Sequence, residues 1–187
     1  MMYLNRWKVT VFKMADYNLF RQKYITYIST FKETSFDNRN NVYLCQDESI
    51  EIINFDKVIE EKYIGLKKRP QSFDCIYLDK YSNKIYLIEF KNETKPDKET
   101  IRGKLLDGKN ELVLLLSALN VSIKDYKFVF CLVYNKYFPK EERFKRGLYK
   151  SIRFEFLNEY KENKFIDDIY TEDVTFFTKQ FKKELAC

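Results

Sequence analysis

The chain has 187 residues, long enough to bury a core without disulfide or metal staples, and its 45% hydrophobic and 33% charged residues are a globular balance. Lys and Arg number 34 against 28 Asp and Glu, a formal net charge of +6 that suits a polyanionic partner. Histidine is absent, which excludes Ser-His-Asp and Cys-His catalysis, His-bearing zinc sites and any histidine general base. Hydrolysis on this chain would have to run on carboxylates, lysine and a metal.

The cysteines, Cys45, Cys75, Cys131 and Cys187, stand far apart without CxxC spacing, so buried free thiols are expected rather than a metal site. The opening "MMYLNRWKVTVFK" is interrupted by charges, and no apolar run approaches the roughly 18 residues of a membrane span. A cytoplasmic protein with no membrane partner is expected. No internal repeat, linker or low-complexity tract interrupts the chain, which predicts a single domain over 1–187.

In chain order, residues 16–33 place Leu19, Phe20, Tyr24, Tyr27, Ile28 and Phe31 at helical spacing after Asp16, a candidate cap. "SFDNRNN" reads as a connector, followed by strand-like stretches at 42–45 and 49–54. "FDKVIEEKY" predicts a short helix capped by Asp56, and "KKRPQS" a loop. Residues 73–78 and 85–91 enclose the polar turn "DKYSNK" and read as an antiparallel hairpin. Apolar positions 101, 105, 112, 115, 116 and 119 predict a long helix over 98–119 despite Gly103 and Gly108, and "YKFVFCLVY" a strand over 126–134. The tail reads as helices over 141–161 and near 171–185. Together these elements predict an α/β domain with helices covering a mixed sheet.

The hairpin carries the chemistry. With its turn centred between Tyr81 and Ser82, Leu78 pairs with Ile85, Ile76 with Leu87 and Asp74 with Glu89. Period-2 alternation puts Asp74, Ile76, Leu78, Ile85, Leu87, Glu89 and Lys91 on one face, and Phe73, Cys75, Tyr77, Tyr86, Ile88 and Phe90 on the other. Both faces are apolar apart from Asp74, Glu89 and Lys91. Two carboxylates facing each other across neighbouring strands repel, and a divalent cation such as Mg²⁺ would relieve that conflict. Lys91 beside them would stabilise charge on an attacked phosphate or position or deprotonate a water. A bare acid, acid, lysine pattern is also what a solvated sheet edge carries.

"FDCIYLDKYSNKIYLIEFK" resembles the D-x(n)-E-x-K signature of the PD-(D/E)xK nuclease superfamily, which includes restriction endonucleases and Holliday-junction resolvases. The resemblance covers about residues 40–135. It implies a restriction endonuclease-like αβββαβ core, a mixed central sheet flanked by helices, with extra C-terminal helices beyond it. It also implies phosphodiester hydrolysis dependent on Mg²⁺ or Mn²⁺, on DNA ahead of RNA, with a homodimer making two cuts as one arrangement. By resemblance Asp74 and Glu89 are metal ligands and Lys91 is the catalytic lysine. Here Phe73 stands where the signature usually has proline. A further ligand from an earlier helix is ambiguous among Glu48, Glu51, Glu60 and Glu61, with Glu61 preferred. The alternative is a catalytically inactive relative that binds nucleic acid or a protein partner.

Basic residues flank the hairpin's open end. Lys67, Lys68 and Arg69 precede it, and Lys95, Lys98, Arg102 and Lys104 follow it, as candidate phosphate contacts; Lys104 and Lys109 are also candidate additional site residues. "ERFKRGLYKSIRFEF" has the pattern of a basic amphipathic helix.

Overall fold

In a computed structural model of the chain, residues 14–79, 81–92, 97–135 and 154–185 are described. Residues 14–23 form helix α1, which leads through a 3-10 turn at Ile25–Tyr27 into strand β1, Ile28–Thr30. The helix expected over 16–33 is therefore cut short. Ile28 and Thr30, both β-branched, pair with strand β4 (Glu51–Asn54) instead. Thr30 and Glu33 then close a capping box that starts a new helix, α2, Phe31–Thr34. Asp16 lies inside α1 rather than capping it, and its carboxylate accepts the Tyr126 O–H at 3.0 Å.

The expected stretch at 42–45 contributes only β3, Val42–Tyr43, paired with β2, Phe36–Asp37, in a separate small hairpin. Helix α3, Phe55–Lys62, follows β4 directly and is capped by Asn54, whose side chain accepts the Lys57 N–H at 3.1 Å. Asp56, the expected cap, sits in the first turn and faces the loop after α3, accepting from Ser72 Oγ at 2.5 Å.

The hairpin is formed by β5, Cys75–Leu78, and β6, Lys84–Lys91, in the expected register: Leu78 opposite Ile85 and Ile76 opposite Leu87. Asp79 builds its turn, accepting the Tyr81 N–H at 2.9 Å and the Ser82 hydroxyl at 2.6 Å. Helix α4, Lys98–Ala118, is capped by Asp97 through the Thr100 N–H and carries the chain across to β7, Lys127–Tyr134, parallel to β6. Of the helix expected over 141–161, residues 141–153 lie outside the described residues; the remainder holds a 3-10 turn, Glu155–Leu157, and a short helix α5, Asn158–Glu162. The segment expected to be helical near 171–185 divides into β8, Asp168–Asp173, and α6, Val174–Leu185. β8 is acid-rich and has no strand pattern of its own; the hydrogen-bonding edge of β7 recruits it.

The fold is mixed α/β. One six-stranded sheet runs β1-β4-β5-β6-β7-β8, antiparallel through β6 and parallel from β6 to β8. Apolar side chains leave both of its faces. Ile76, Leu78, Ile85 and Leu87 pack with Phe20, Val58, Ile101 and Leu105 of α1, α3 and α4, whereas Cys75, Tyr86, Ile88 and Phe90 pack with Phe31, Phe177 and Phe181 of α2 and α6. Phe73 departs from the expected face: it precedes β5, turns toward α4 and stacks on Phe55 with ring centroids 4.7 Å apart. Gly108 permits this, because a Cβ there would stand 2.6 Å from the Phe73 ring. Close approach of α4 to the sheet sets the position of its next inward side chain, Lys104. Cys45, Cys75 and Cys131 are buried free thiols, as expected, and no helix among the described residues is long and apolar enough to cross a membrane.

Candidate active site

The β5–β6 ladder ends at Cys75 and Ile88, which places the next pair, Asp74 and Glu89, opposite each other on the face covered by α4. Asp74 stands where β5 leaves the ladder. Its backbone carbonyl accepts the Phe55 N–H at 3.1 Å, and its carboxylate Oδ2 accepts the Phe90 N–H at 2.6 Å, a donor that the ladder leaves unpaired. Glu89 is wholly buried, while about a fifth of the Asp74 side chain (21%) stays exposed.

Such a buried carboxylate needs a counter-charge, and two amines supply it. Lys91 Nζ lies 3.0 Å from Glu89 Oε1. Lys104 Nζ donates to Glu89 Oε1 at 2.7 Å and Oε2 at 2.9 Å, and reaches Asp74 Oδ1 at 3.3 Å. Burial and the Glu89 charge push the Asp74 carboxyl up to about 7, with Lys104, the Phe90 N–H and Lys91 acting against them. For Lys104, burial lowers the pKa but the Glu89 and Asp74 charges outweigh it, so the ammonium is held above its usual range.

Asp74 and Lys91 line a cavity of about 490 Å³ whose other wall is the β2–β3 hairpin, with Asp37, Arg39 and Asn40. That hairpin is tied to the sheet by a chain of side chains. Asn135 Nδ2 donates to Asn92 Oδ1 at 2.8 Å, and Asn92 Nδ2 donates to Asp37 Oδ2 at 2.7 Å. Asp37 also accepts from the Arg39 and Asn40 N–H groups and from the Asn40 side chain, so its carboxyl is held down at about 2 by Asn40 first and then Asn92.

Asp74, Glu89 and Lys91 are thus brought together as the sequence predicts. Glu61 is not: it lies in the last turn of α3, roughly 7 Å along the axis from Asp56, and its carboxylate faces Tyr27. Glu48 pairs with Lys32 and Glu51 with Arg21 instead, and Glu60 is exposed. Among the described residues, no group of three His, Cys, Asp or Glu side chains is close enough to share a metal. The α3 acid nearest the pair is Asp56, whose N–H approaches the Asp74 carbonyl and whose charge raises the Lys104 pKa.

Of the basic residues, Lys67 and Lys68 are exposed on the loop after α3, and Arg69 approaches Asp56 at 3.5 Å. Arg102 is engaged by Glu99 at 2.8 Å and Glu159 at 3.3 Å; Lys98 is exposed above the Phe156 ring. Lys95 lies outside the described residues. Lys104 is turned inward to the acids, and Lys109 sits against the Phe128 and Phe165 rings, where burial lowers its pKa. The inward position of Lys104 had a signal in the sequence, since it falls between Ile101, Leu105 and Gly108 on the covered face of α4. The Asp37, Asn92 and Asn135 chain had none, because its members belong to three distant segments.

Comparison with protein-family models, curated proteins and solved structures finds no match. The chemistry of the site therefore rests on its own atoms. Two hard carboxylates, of which Asp74 lines a cavity with room for water and Glu89 is buried behind it, are a donor set that fits Mg²⁺ or Mn²⁺. The ground between their oxygens is held by Lys104 Nζ.

Proposed function

We propose that the chain is a metal-dependent nuclease hydrolysing phosphodiester bonds, DNA ahead of RNA, at the open end of the β5–β6 hairpin. The observation that carries this reading is the facing of Asp74 and fully buried Glu89 with Lys91 3.0 Å away on the wall of a large cavity. A structural ion pair would not require two carboxylates on one buried sheet face. Three antiparallel strands, a long helix and a parallel strand follow in the order β4-α3-β5-β6-α4-β7, which supports the restriction endonuclease-like core that the signature implies, with α3 as an insertion between its first two strands. Fold alone would not carry an activity.

Asp74 and Glu89 would hold the metal, which supplies Lewis-acid polarisation and an activated water. The Asp74 carboxylate is fixed by the Phe90 N–H, and the Glu89 backbone by its place inside a paired strand. Lys91, restrained by Glu89, offers its ammonium to charge developing on the attacked phosphate. The cavity wall formed by the anchored β2–β3 hairpin provides space beside it, lined by both Arg39 and ionised Asp37.

A second reading, a protein that binds nucleic acid or a partner without cleaving, is favoured by the internal neutralisation of both acids by Lys104. Cleavage of plasmid, single-stranded DNA and RNA with Mg²⁺, Mn²⁺ or chelator, beside folded Asp74→Ala and Lys91→Ala, separates the two. Metal-dependent cleavage lost in both variants supports the nuclease. Absence of cleavage together with retained nucleic-acid binding favours the second reading.

A further inference from the structure

We propose that Lys104 is a built-in occupant of the cation seat, so that a divalent metal binds Asp74 and Glu89 only when the Lys104 ammonium withdraws from between them. This rests on the metal-dependent reading above. The Nζ stands 2.7 and 2.9 Å from the two Glu89 oxygens and 3.3 Å from Asp74 Oδ1, bridging the carboxylates that would otherwise share a cation.

Lys91 does not duplicate this arrangement. Its ammonium pairs with Glu89 Oε1 at 3.0 Å, from the same strand. Lys104 comes from α4, whose approach to the sheet is set by Gly108 against Phe73, so the backbone delivers the amine to the seat. A lysine suits this role where arginine would not: its charge is compact and its four-carbon stem is flexible, so it can leave by rotamer change without moving the helix. Thr100, one turn earlier on α4, lines the cavity, which gives the withdrawn ammonium a solvated space on the substrate side.

The consequence is competition. With Lys104 seated and Lys91 on Glu89, two ammoniums face the two acids and the metal-free protein does not carry two unpaired buried charges. An entering metal must overcome both the lost ammonium contacts and the repulsion between like charges. Removing the amine should therefore tighten metal binding while weakening the metal-free fold.

The test is Mn²⁺ affinity by electron paramagnetic resonance and Mg²⁺-dependent thermal shift, on wild type, Lys104→Met, Lys104→Gln and Lys104→Arg, with folding checked by circular dichroism. The neutral variants should bind Mn²⁺ at least tenfold more tightly than wild type, and their lowered melting temperatures should be restored by Mg²⁺. Lys104→Arg, which keeps a cation, should show no such gain. Two neutral variants are included so that a packing defect in one does not decide the outcome. Equal Mn²⁺ affinity in wild type and both neutral variants would overturn the seat while leaving the metal reading intact. No saturable metal binding in any form would overturn the metal reading and this inference with it.

Discussion

Asp74 accepts the Phe90 backbone N–H through Oδ2 at 2.6 Å, so a side chain rather than a carbonyl closes the ladder at the open end of the hairpin. The same carboxylate faces Glu89. Its two roles can be separated, because an amide oxygen can still accept the N–H but is a poorer metal ligand than a carboxylate. Asp74→Asn should therefore exceed Asp74→Ala in stability by about 1–3 kcal/mol, the cost of leaving a buried donor unsatisfied. Both should lose metal-dependent cleavage. Urea unfolding read beside the cleavage assay checks this; equal stability of the two variants would remove the structural role of the carboxylate.

The packing of α4 gives a paired prediction. Gly108→Ala puts a Cβ 2.6 Å from the ring of Phe73, which is fully buried and stacked on Phe55. Overpacking costs about 1–3 kcal/mol, against about 1 kcal/mol gained in helix propensity, so net destabilisation is expected. Gly103→Ala meets only the end of the exposed Gln71 side chain, which can swing away, and should be neutral or stabilising by up to about 1 kcal/mol. Urea midpoints at unchanged slope distinguish them. A Gly108→Ala protein as stable as Gly103→Ala would mean that α4 does not press on Phe73.

These contrasts show what the sequence made legible. The β5–β6 register was readable because alternation and a polar turn both specified it, α4 because a helical periodicity ran through it, and β7 because its apolar run is unbroken. β1 was hidden because Ile28 continues the helical spacing of Leu19, Phe20 and Tyr24; its pairing with the distant β4 overrides that local pattern. β8 was hidden because Asp168, Glu172 and Asp173 break any apolar strand signal, and only the edge of β7 makes it a strand. Asp74, Glu89 and Lys91 were legible from spacing. The bridging by Lys104 was not, since it depends on how close α4 lies to the sheet.

Asp37 predicts a local acid transition. Its carboxyl is held down at about 2 by hydrogen bonds from Asn40 and Asn92. A depressed native pKa means that ionised Asp37 contributes stability above its ordinary value near 4, and that this contribution is lost as pH falls from there through about 2. Amide exchange in β2–β3 should accelerate over that window before the sheet opens. In Asp37→Asn the same hairpin should exchange faster at neutral pH, with little further change on acidification. Unchanged exchange between wild type and variant would show that the Asn135, Asn92 and Asp37 chain does not hold the hairpin over the cavity.

The basic residues can be ranked by what already occupies them. Lys67 and Lys68 are exposed on a loop anchored beside the site by Arg69 and Ser72 on Asp56, whereas Arg102 is engaged by Glu99 and Glu159. A lysine that meets a phosphate releases about one counterion, so each of Lys67→Ala and Lys68→Ala should reduce the slope of log affinity against log salt by about 0.9. Arg102→Ala should leave that slope unchanged. The measurement is duplex DNA binding by fluorescence anisotropy between low and physiological salt, made in an Asp74→Asn background to prevent cleavage. Slopes insensitive to both lysines would place the duplex away from this loop. A slope that fell with Arg102→Ala would show that its ion pairs open on binding.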